Sequence, residues 1–319
     1  MIDREELLKN LIIHGEQGYA LYYREGGEVL EEYRGFERLG TDRRIGPDSN
    51  FRMASITKQF IGRGIMALIG DGKLDYGTPL SEVFGGLPAY LGKVTIIELL
   101  NHQAHLHEYE DMERPEGVQI LDPEVLTWLA AEPGVYDEPA GSYRYSNSGY
   151  VVLGLVIEKL SGQKIEDFMK ERVLTPLGME HSMINREGVT EIPHRVYGTA
   201  VGEDGHLFQK DQSKTTATIG DGGLYANVND LNHYLDRIEQ QDLAAIYTPM
   251  TPIEENYWYS KGIRIAERNG HRVYCHSGGT TGTHNFLAVV PDLGIRAIFL
   301  SNIDGLDASL MLPNILKRI

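Results

Sequence analysis

The order of apolar and polar residues changes twice along the chain. Near the amino end, two runs with strand character, residues 18–23 and 29–35, are separated by a glycine turn and predict a β-hairpin. From about residue 61 to 204 the apolar positions mostly recur at the helical period. Strand patterns return after one amphipathic helix at residues 231–238. We therefore predict an α+β protein whose antiparallel sheet comes from both chain ends, is flanked by helices and carries an inserted helical subdomain.

The individual elements follow from the same pattern and from its stop signals. The most apolar helix, residues 150–160, ends at Ser161-Gly162, a common helix end. The last two strands flank residues 291–294, whose proline, aspartate and glycine favour a turn. The remaining predicted helices span residues 3–13, 95–100, 123–129, 165–173 and 306–319, and the strands of the carboxyl half span residues 257–265, 272–276, 285–290 and 295–301.

The composition is that of an ordinary soluble enzyme. The chain has 319 residues, of which 41% are hydrophobic and 24% charged. This length allows two lobes that share a cleft. We predict a single catalytic unit over residues 1–319, in which residues 1–60 and 205–319 form a sheet-containing lobe and residues 61–204 form a mostly helical lobe.

Charge and cysteine content narrow the possible partners and the location. The formal net charge of −16 argues against nucleic acid, because phosphate contacts need clustered Lys and Arg. No apolar stretch approaches the roughly 18 residues of a membrane span, so we predict no membrane partner. The amino end lacks the layout of a signal peptide, and the one cysteine, Cys275, excludes an internal disulfide. These features favour the cytoplasm, with an exported mature form as the alternative.

A candidate nucleophile lies at Ser55, three residues before Lys58. The apolar positions that follow predict a helix that begins at or just before Ser55. Residues three apart share one face of a helix, so the hydroxyl and the amine can touch. A serine needs a nearby base to become a good nucleophile, and a helix start offers free N–H groups to an oxyanion. The alternative is that this pair of residues occurs by chance.

A second polar group, Tyr145-Ser146-Asn147, precedes the helix at residues 150–160. The phenol of Tyr145 can act as an acid or a base beside a cation such as Lys58, and the amide of Asn147 can bind a substrate carbonyl or N–H. The alternative is structural, because Ser146 or Asn147 suits the N-cap position of the following helix.

The third group, His276-Ser277-Gly278-Gly279-Thr280-Thr281-Gly282, ends a predicted strand and is rich in glycine. Glycines at such a position let a substrate backbone lie against the sheet edge. The alternative is a plain turn between two strands. Side chains alternate along a strand, so Cys275 should face away from His276, which argues against a Cys-His catalytic pair.

The order and spacing of these three groups resemble the serine β-lactamase and penicillin-binding-protein superfamily. The middle element, Y-x-N, is of the class C type. The resemblance covers nearly the whole chain and implies the β-lactamase/transpeptidase-like fold. The other segments that carry it are Asp71-Gly72-Lys73-Leu74-Asp75, residues 95–102 (TIIELLNH), Pro139-Ala140-Gly141, the residues from Tyr145 to Tyr150 and Gly222-Gly223-Leu224-Tyr225.

The resemblance implies acyl transfer through a covalent ester on Ser55. Lys58 and Tyr145 would share the proton transfers, and which of them is the general base stays open. The backbone N–H groups of Ser55 and Gly279 would form the oxyanion hole, where losing one donor typically costs about 10²–10³ in rate.

The resemblance also assigns substrate binding to Asn147, which would hold an amide, and to His276 and Gly278 on the strand edge. Position 276 departs from the pattern, because penicillin-destroying class C members carry lysine there. Lysine is a permanent cation that attracts a carboxylate, whereas an ordinary histidine is mostly neutral at neutral pH. The H-x-G form is more similar to the D-amino-acid peptidases, carboxypeptidases and esterases of this superfamily.

A second departure lies in the loop after His102, where the usual H-T-S-G-L has become His102-Gln103-Ala104-His105-Leu106 and His107 follows. Three histidines in six residues raise the alternative of a zinc site, whose imidazoles must converge on one point. We predict no metal, with His102 packed at the helix end and His105 and His107 lining the cleft.

The sequence thus predicts a serine hydrolase that needs no cofactor and acts on a small ester, amide or D-amino-acid-containing peptide. Two alternatives stay open. One is a β-lactamase, and the other is a protein that binds penicillin or a peptide without turning it over. Neither the substrate nor the oligomeric state follows from the sequence.

Overall fold

The computed structural model describes residues 2–13, 17–248 and 250–319 of the chain. Its longer strands lie towards the two chain ends, as the residue pattern predicts. In chain order the strands are β1 (Tyr19–Glu25), β2 (Glu28–Arg34), β3 (Phe51–Arg52), β4 (Met183–Ile184), β5 (Thr199–Val201), β6 (Leu207–Gln209), β7 (Leu224–Ala226), β8 (Thr251–Glu254), β9 (Tyr257–Ser260), β10 (Ile263–Arg268), β11 (His271–Thr280), β12 (Thr283–Val290) and β13 (Ile295–Ser301).

One large sheet contains eight of these strands. Its order is β2-β1-β13-β12-β11-β10-β9-β8, and each neighbouring pair is antiparallel. Strand β1 pairs with its hairpin partner β2 on one side and with β13, from the carboxyl end, on the other. The predicted sheet from both chain ends is therefore confirmed. The β3-β7-β4 and β5-β6 strands form two smaller sheets.

Most helices lie between the two sheet-forming regions, while the predicted division into two lobes stays a prediction. Among the described residues, no helix combines the length and the apolar character needed to cross a membrane. In chain order the α-helices are α1 (Arg4–Leu7), α2 (Thr57–Gly70), α3 (Leu80–Val83), α4 (Ala89–Gly92), α5 (Ile96–Leu100), α6 (Asp122–Ala131), α7 (Asn147–Ser161), α8 (Ile165–Met169), α9 (Val228–Glu239), α10 (Leu243–Ile246) and α11 (Met311–Leu316).

Both terminal helices are shorter than the apolar pattern predicts. The helix expected over residues 3–13 is only the four-residue α1, because the chain turns away at Asn10, which has a φ of +74°. The helix expected over residues 306–319 is reduced to α11, preceded by a 3₁₀ turn at Ala308–Leu310. Pro313 lies in the first turn of α11, where its missing N–H costs nothing.

Two further elements differ from the prediction. The single strand expected over residues 257–265 is two strands, β9 and β10, because Lys261 and Gly262 have φ values of +48° and +93° and reverse the chain. The helix expected over residues 165–173 begins as α8 and continues as the π-helical segment Lys170–Leu174.

Apolar side chains cover both faces of the large sheet. Along β1, Leu21 and Tyr23 pack into a core shared with the terminal helices α1 and α11. Ala20 and Tyr22, which alternate with them, join the larger core that contains α2 and α7. The sheet is thus fixed between two layers, and α2, the helix that follows Ser55, lies in one of them.

A glycine contact fixes α2 against the large sheet. Gly262, in the turn between β9 and β10, lies so close to α2 that a Cβ there would be 2.2 Å from the carbonyl oxygen of Lys58. Its φ of +93° also favours glycine. The turn therefore rests directly on the first turn of α2 and fixes the height of Lys58 relative to the sheet.

Candidate active site

Ser55 lies in a 3₁₀ turn, Ala54–Ile56, between β3 and α2. The α-helix itself begins at Thr57, slightly later than the sequence predicts. Ala54 has a φ of +48°, a left-handed conformation that costs an L-residue about 1–2 kcal/mol. Backbone strain of this kind concentrates at functional sites, where the surrounding structure maintains it. Here it accompanies a serine side chain that borders a cavity.

The buried amine of Lys58 connects three parts of the site. Its Nζ lies 3.0 Å from Oγ of Ser55, 2.6 Å from Oδ1 of Asn147 and 3.1 Å from the carbonyl oxygen of Asp221. An ammonium can donate to all three atoms. A neutral amine can donate to the amide and carbonyl oxygens and accept the hydroxyl proton of Ser55. Both protonation states fit these contacts, so the geometry suits an amine that gives and takes a proton.

The ring of Tyr145 lies beside this amine, with Nζ of Lys58 5.0 Å from the ring centroid. On its other sides the ring packs near two imidazoles, with centroid distances of 4.4 Å to His102 and 6.4 Å to His276. The guanidinium carbon of Arg264 is 5.7 Å from the same centroid. The structure therefore brings Tyr145 to Lys58, which itself contacts Ser55.

Asn147 is the first residue of α7, and Ser146 is its N-cap. Oγ of Ser146 accepts a 3.0 Å hydrogen bond from the N–H of Gly149, so the capping interpretation applies to Ser146. The side chain of Asn147 has different partners. Its Oδ1 accepts from Lys58, and its Nδ2 donates to Oε1 of Glu110. In this triplet, Ser146 is therefore a structural N-cap, and Asn147 is a candidate functional residue.

A carboxylate holds the start of α7 in place. Oε2 of Glu108 accepts hydrogen bonds from the N–H groups of Asn147, at 2.8 Å, and Ser148, at 3.2 Å. An anion is favourable at a helix N-terminus. Burial nevertheless raises the pKa of Glu108 to about 7. The protonation of this residue is therefore linked to the position of Asn147.

A second buried carboxylate, which the sequence analysis missed, supports the segment that leads to Asp221. Asp122 accepts from the N–H groups of Ile219, at 2.8 Å, and Gly220, at 3.3 Å. Burial raises the pKa of Asp122 to about 7. The two N–H groups immediately precede Asp221, whose carbonyl accepts from Lys58. A sequence signal existed only in part, because Asp221 directly precedes the family-like segment Gly222-Gly223-Leu224-Tyr225.

The predicted strand end at residue 276 is wrong, because β11 continues to Thr280. The plain-turn alternative is wrong for residues 276–280 and applies only to Thr281 and Gly282, which join β11 to β12. β12 pairs with β11 as far as Thr280, whereas β10, on the other side, pairs with it only as far as Cys275. Within the described part of the chain, residues 276–280 therefore have a ladder partner on one side only. A substrate backbone could use the other side.

Gly278 lets this strand lie directly on the Ser55 turn. A Cβ at Gly278 would lie 2.1 Å from the carbonyl oxygen of Met53 and 3.2 Å from the backbone nitrogen of Ser55. Real Cβ atoms do not approach so closely, so a larger residue would push the strand away. The next residue, Gly279, borders the same cavity as Ser55. The two predicted oxyanion donors are thus on adjoining segments.

His276 is buried and does not border the cavity. Its Nδ1 contacts the carbonyl of Ser277, and its Nε2 lies 3.4 Å from Oη of Tyr259. Burial holds the pKa of His276 well below its ordinary value, so the ring is neutral near pH 7. Cys275 faces the core beside the terminal helices, as the alternation predicts, and burial raises the pKa of its thiol to about 12.

The three histidines of the altered loop do not converge. The ring of His102 is buried among tyrosine rings, and burial lowers its pKa. Nε2 of His105 lies 2.9 Å from the carbonyl of Ser142, and the ring of His107 packs 4.3 Å from that of Tyr136. Across residues 2–13, 17–248 and 250–319, no group of three or more His, Cys, Asp or Glu side chains is placed to hold a metal ion.

The cavity at Ser55 has a volume of about 280 Å³. Of the predicted site residues, Ser55, Asn147 and Gly279 border it, whereas Lys58, Tyr145, His276 and Gly278 are not among its lining residues. The remaining lining residues are Arg52, Ala54, Tyr109, Glu110, Thr215, Thr216, Thr218, Asp221, Gly222, Thr280 and Thr281.

Sequence comparison identifies relatives over almost the whole chain. The sequence model of the family described as Beta-lactamase matches residues 6–318. Penicillin-binding protein 4* of Bacillus subtilis (strain 168) is 28% identical over 302 residues, which cover 87% of this chain and 66% of the relative. D-aminopeptidase of Brucella anthropi is 23% identical over 310 residues, which cover 91% of this chain and 57% of the relative. The chain therefore spans less than two thirds of the length of these curated relatives.

Solved structures share the fold. D-amino acid amidase from Ochrobactrum anthropi SV3, complexed with D-phenylalanine, aligns with a TM-score of 0.79 at 21% identity, over 96% of this chain and 95% of that one. The octameric penicillin-binding protein homologue from Pyrococcus abyssi aligns with a TM-score of 0.78 at 23% identity, over 92% of this chain and 71% of that one. The predicted fold class is therefore confirmed.

Proposed function

Because the chain belongs to the beta-lactamase family, as its three motifs predict, we propose that it is a serine hydrolase that forms an acyl-enzyme on Ser55. Its substrates are small esters, amides or D-amino-acid-containing peptides. The observation that carries the proposal is the buried amine of Lys58, 3.0 Å from the Ser55 hydroxyl at the wall of a cavity. The names D-aminopeptidase and D-amino acid amidase among the relatives support this substrate class.

In the acylation step, Oγ of Ser55 attacks the carbonyl carbon of the substrate. The hydroxyl proton passes either to Nζ of Lys58 in its neutral amine form or to the oxygen of Tyr145 in its phenolate form, and this choice stays open. The carbonyl oxygen becomes an oxyanion that accepts from the N–H groups of Ser55 and Gly279. The bond to the leaving nitrogen or oxygen then breaks, the leaving group takes up the proton, and an ester remains on Ser55.

In the second step, water attacks that ester and the same groups accept its proton. Ser55 recovers its proton as the carboxylic acid product leaves. Within the described part of the chain, the side chain of Asn147 keeps one amide hydrogen and one oxygen lone pair beyond its contacts with Lys58 and Glu110. These can hold a substrate amide while Asn147 keeps Lys58 in position.

The lack of a positive charge at position 276 makes an efficient β-lactamase the weaker candidate. A cation at the family's lysine position attracts the carboxylate of a β-lactam, and the buried, neutral ring of His276 supplies none. A penicillin-binding protein without turnover is the second candidate, because two of the relatives carry that name.

A hydrolysis screen tests the proposal. Wild-type protein and Ser55→Ala are compared on D-amino-acid amides, short-chain p-nitrophenyl esters and nitrocefin. We expect turnover of at least one amide or ester that Ser55→Ala abolishes. Acylation without product release would favour the second candidate. Turnover that persists in Ser55→Ala would exclude Ser55 as the nucleophile.

A further inference from the structure

A nearly buried carboxylate with one unpaired oxygen borders the cavity at Ser55. The side chain belongs to Asp221, which is only 7% exposed. Its Oδ2 accepts a 2.8 Å hydrogen bond from the phenol of Tyr109. Its Oδ1 is buried and has no hydrogen-bond partner in the described residues. A buried carboxylate oxygen without a donor is costly, so a ligand group that reached this atom could supply the missing hydrogen bond.

Glu110 presents a second carboxylate to the same cavity. Its Oε1 accepts from Nδ2 of Asn147, while its Oε2 is buried and unpartnered in the described residues. Burial raises the pKa of Glu110 and the nearby carboxylate of Asp221 adds to the increase, whereas the hydrogen bond from Asn147 and the charge of Lys58 act against it. Among the ion pairs of the described ranges, none joins a lysine, arginine or histidine to Glu110 or Asp221.

Both acidic residues border the same cavity as Ser55, and both are connected to Lys58. The backbone carbonyl of Asp221 and the amide of Asn147, which binds Glu110, both accept from Nζ of Lys58. That same Nζ contacts the hydroxyl of Ser55. A cation held by the two acids would therefore lie in the same cavity as a carbonyl group placed for attack by Ser55.

We propose that Asp221 and Glu110 bind a primary ammonium group next to the scissile carbonyl, so that the preferred substrates are amides and esters of α-amino acids with a free amino group. An ammonium has three N–H donors. The Oδ1 of Asp221 and the Oε2 of Glu110 each lack a donor in the described residues. A volume of about 280 Å³ suits one amino-acid unit better than a long acyl chain. This inference rests on the proposed function and specifies its substrate.

Arg52 is a cation at the same cavity, and it could instead favour a substrate that carries a negative charge. It borders the cavity, and its Nη2 is also unpartnered in the described residues. Its guanidinium, however, donates to the carbonyl of Thr216 at 2.6 Å and to the phenol of Tyr225 at 3.0 Å, and it packs on the Tyr225 ring. The test therefore includes a substrate that carries a carboxylate in place of the ammonium.

The experiment compares kcat/KM for three matched substrates, namely D-alanine methyl ester and its N-acetyl and N-succinyl forms. We expect the free amine to exceed the N-acetyl form by about 10-fold to 100-fold, the value of a charge-assisted hydrogen bond. Equal values, or a preference for the succinyl form, would overturn the inference. p-Nitrophenyl acetate, which has no amine, separates the two proposals. If Ser55-dependent acetate turnover is present without amine preference, only the ammonium inference fails.

The variants Asp221→Asn and Glu110→Gln remove each charge while keeping the shape of the side chain. The readout is the ratio of the kcat/KM values for two substrates. A general loss of activity in a variant lowers both values and leaves this ratio unchanged. We expect each variant to lower the ratio of free amine to N-acetyl by about 10-fold. Asp111→Asn, which alters an exposed acid next to Glu110, should keep the wild-type ratio. Unchanged ratios in both test variants would contradict the assignment of these two residues.

Discussion

A methyl group on Gly278 would lie 2.1 Å from the carbonyl oxygen of Met53. This contact holds β11 against the turn that carries Ser55, and it places Gly279 at the cavity beside that serine. The third motif therefore contributes to the site chiefly through its backbone. Its histidine is buried behind the cavity, and its first glycine permits the close approach.

The first prediction is that Gly278→Ala damages both stability and activity. The added methyl group must displace the strand or the Ser55 turn, which typically costs 1–3 kcal/mol by overpacking. We expect a lower free energy of unfolding in urea and a loss of kcat/KM of at least about 10-fold. The control is Gly70→Ala at the end of α2, where nothing lies within 4 Å of the new Cβ. A Gly278→Ala protein that behaves like this control would contradict the contact.

The second prediction distinguishes Tyr145 from a neighbouring tyrosine. Tyr145→Phe keeps the ring beside Lys58 and removes the hydroxyl that is proposed to transfer a proton. Removing a general acid or base typically costs about 10²–10⁴ in rate, so we expect kcat/KM for an ester to fall in that range. Tyr143, whose ring also packs near His102, provides the matched control Tyr143→Phe. If both variants lowered kcat/KM only slightly and to a similar extent, Tyr145 would have no part in the proton transfers.

The third prediction concerns pH and Glu108. Its pKa in the folded protein is about 7, above the ordinary value of 4.5, so the folded state holds this proton more tightly than the unfolded chain. The stabilisation from that proton is complete below pH 4.5 and is lost as the pH rises through 7. The stability advantage of wild type over Glu108→Gln should therefore shrink by about 3 kcal/mol from pH 4.5 to 8.

Urea unfolding at several pH values measures this difference. The exposed Glu113 supplies the control, because Glu113→Gln removes a carboxylate from the same loop without removing a buried one. We expect its stability to follow that of wild type at each pH. A constant difference between wild type and Glu108→Gln across the range would show that folding does not raise the pKa of Glu108.

The fourth prediction concerns metal. His105 and His107 contact different neighbours, Ser142 and Tyr136, and their imidazoles share no focus with that of His102. We expect elemental analysis of protein purified without added metal to find no stoichiometric zinc. We also expect ester hydrolysis to survive prolonged dialysis against a chelator. One zinc per chain, together with loss of activity on chelation, would contradict this arrangement.

The features that the sequence could predict are local or periodic. Ser55 and Lys58 are one helical turn apart, so their contact follows from spacing alone. The opposite directions of Cys275 and His276 follow from strand alternation. The altered loop after His102 also showed in the sequence. There, His105 replaces a glycine of the family pattern, and its backbone is left-handed, with a φ of +51°.

The features that the sequence missed depend on contacts between distant segments. The carbonyl of Asp221 reaches Lys58 across 163 residues, and a backbone carbonyl requires no particular residue type. The glycines of β11 resemble a turn until the strand is seen packed on the Ser55 turn, where Gly278 avoids a clash with Met53. No local pattern could show that Glu110 binds the amide of Asn147.

The most direct test of the central claim is to locate a covalent adduct. Protein treated with a fluorophosphonate is digested, and its peptides are mapped by mass spectrometry. We predict one adduct, on the peptide that contains Ser55, which is absent in Ser55→Ala and forms more slowly in Lys58→Met. An adduct on another residue, or none from any acylating probe while ester turnover persists in Ser55→Ala, would contradict the account.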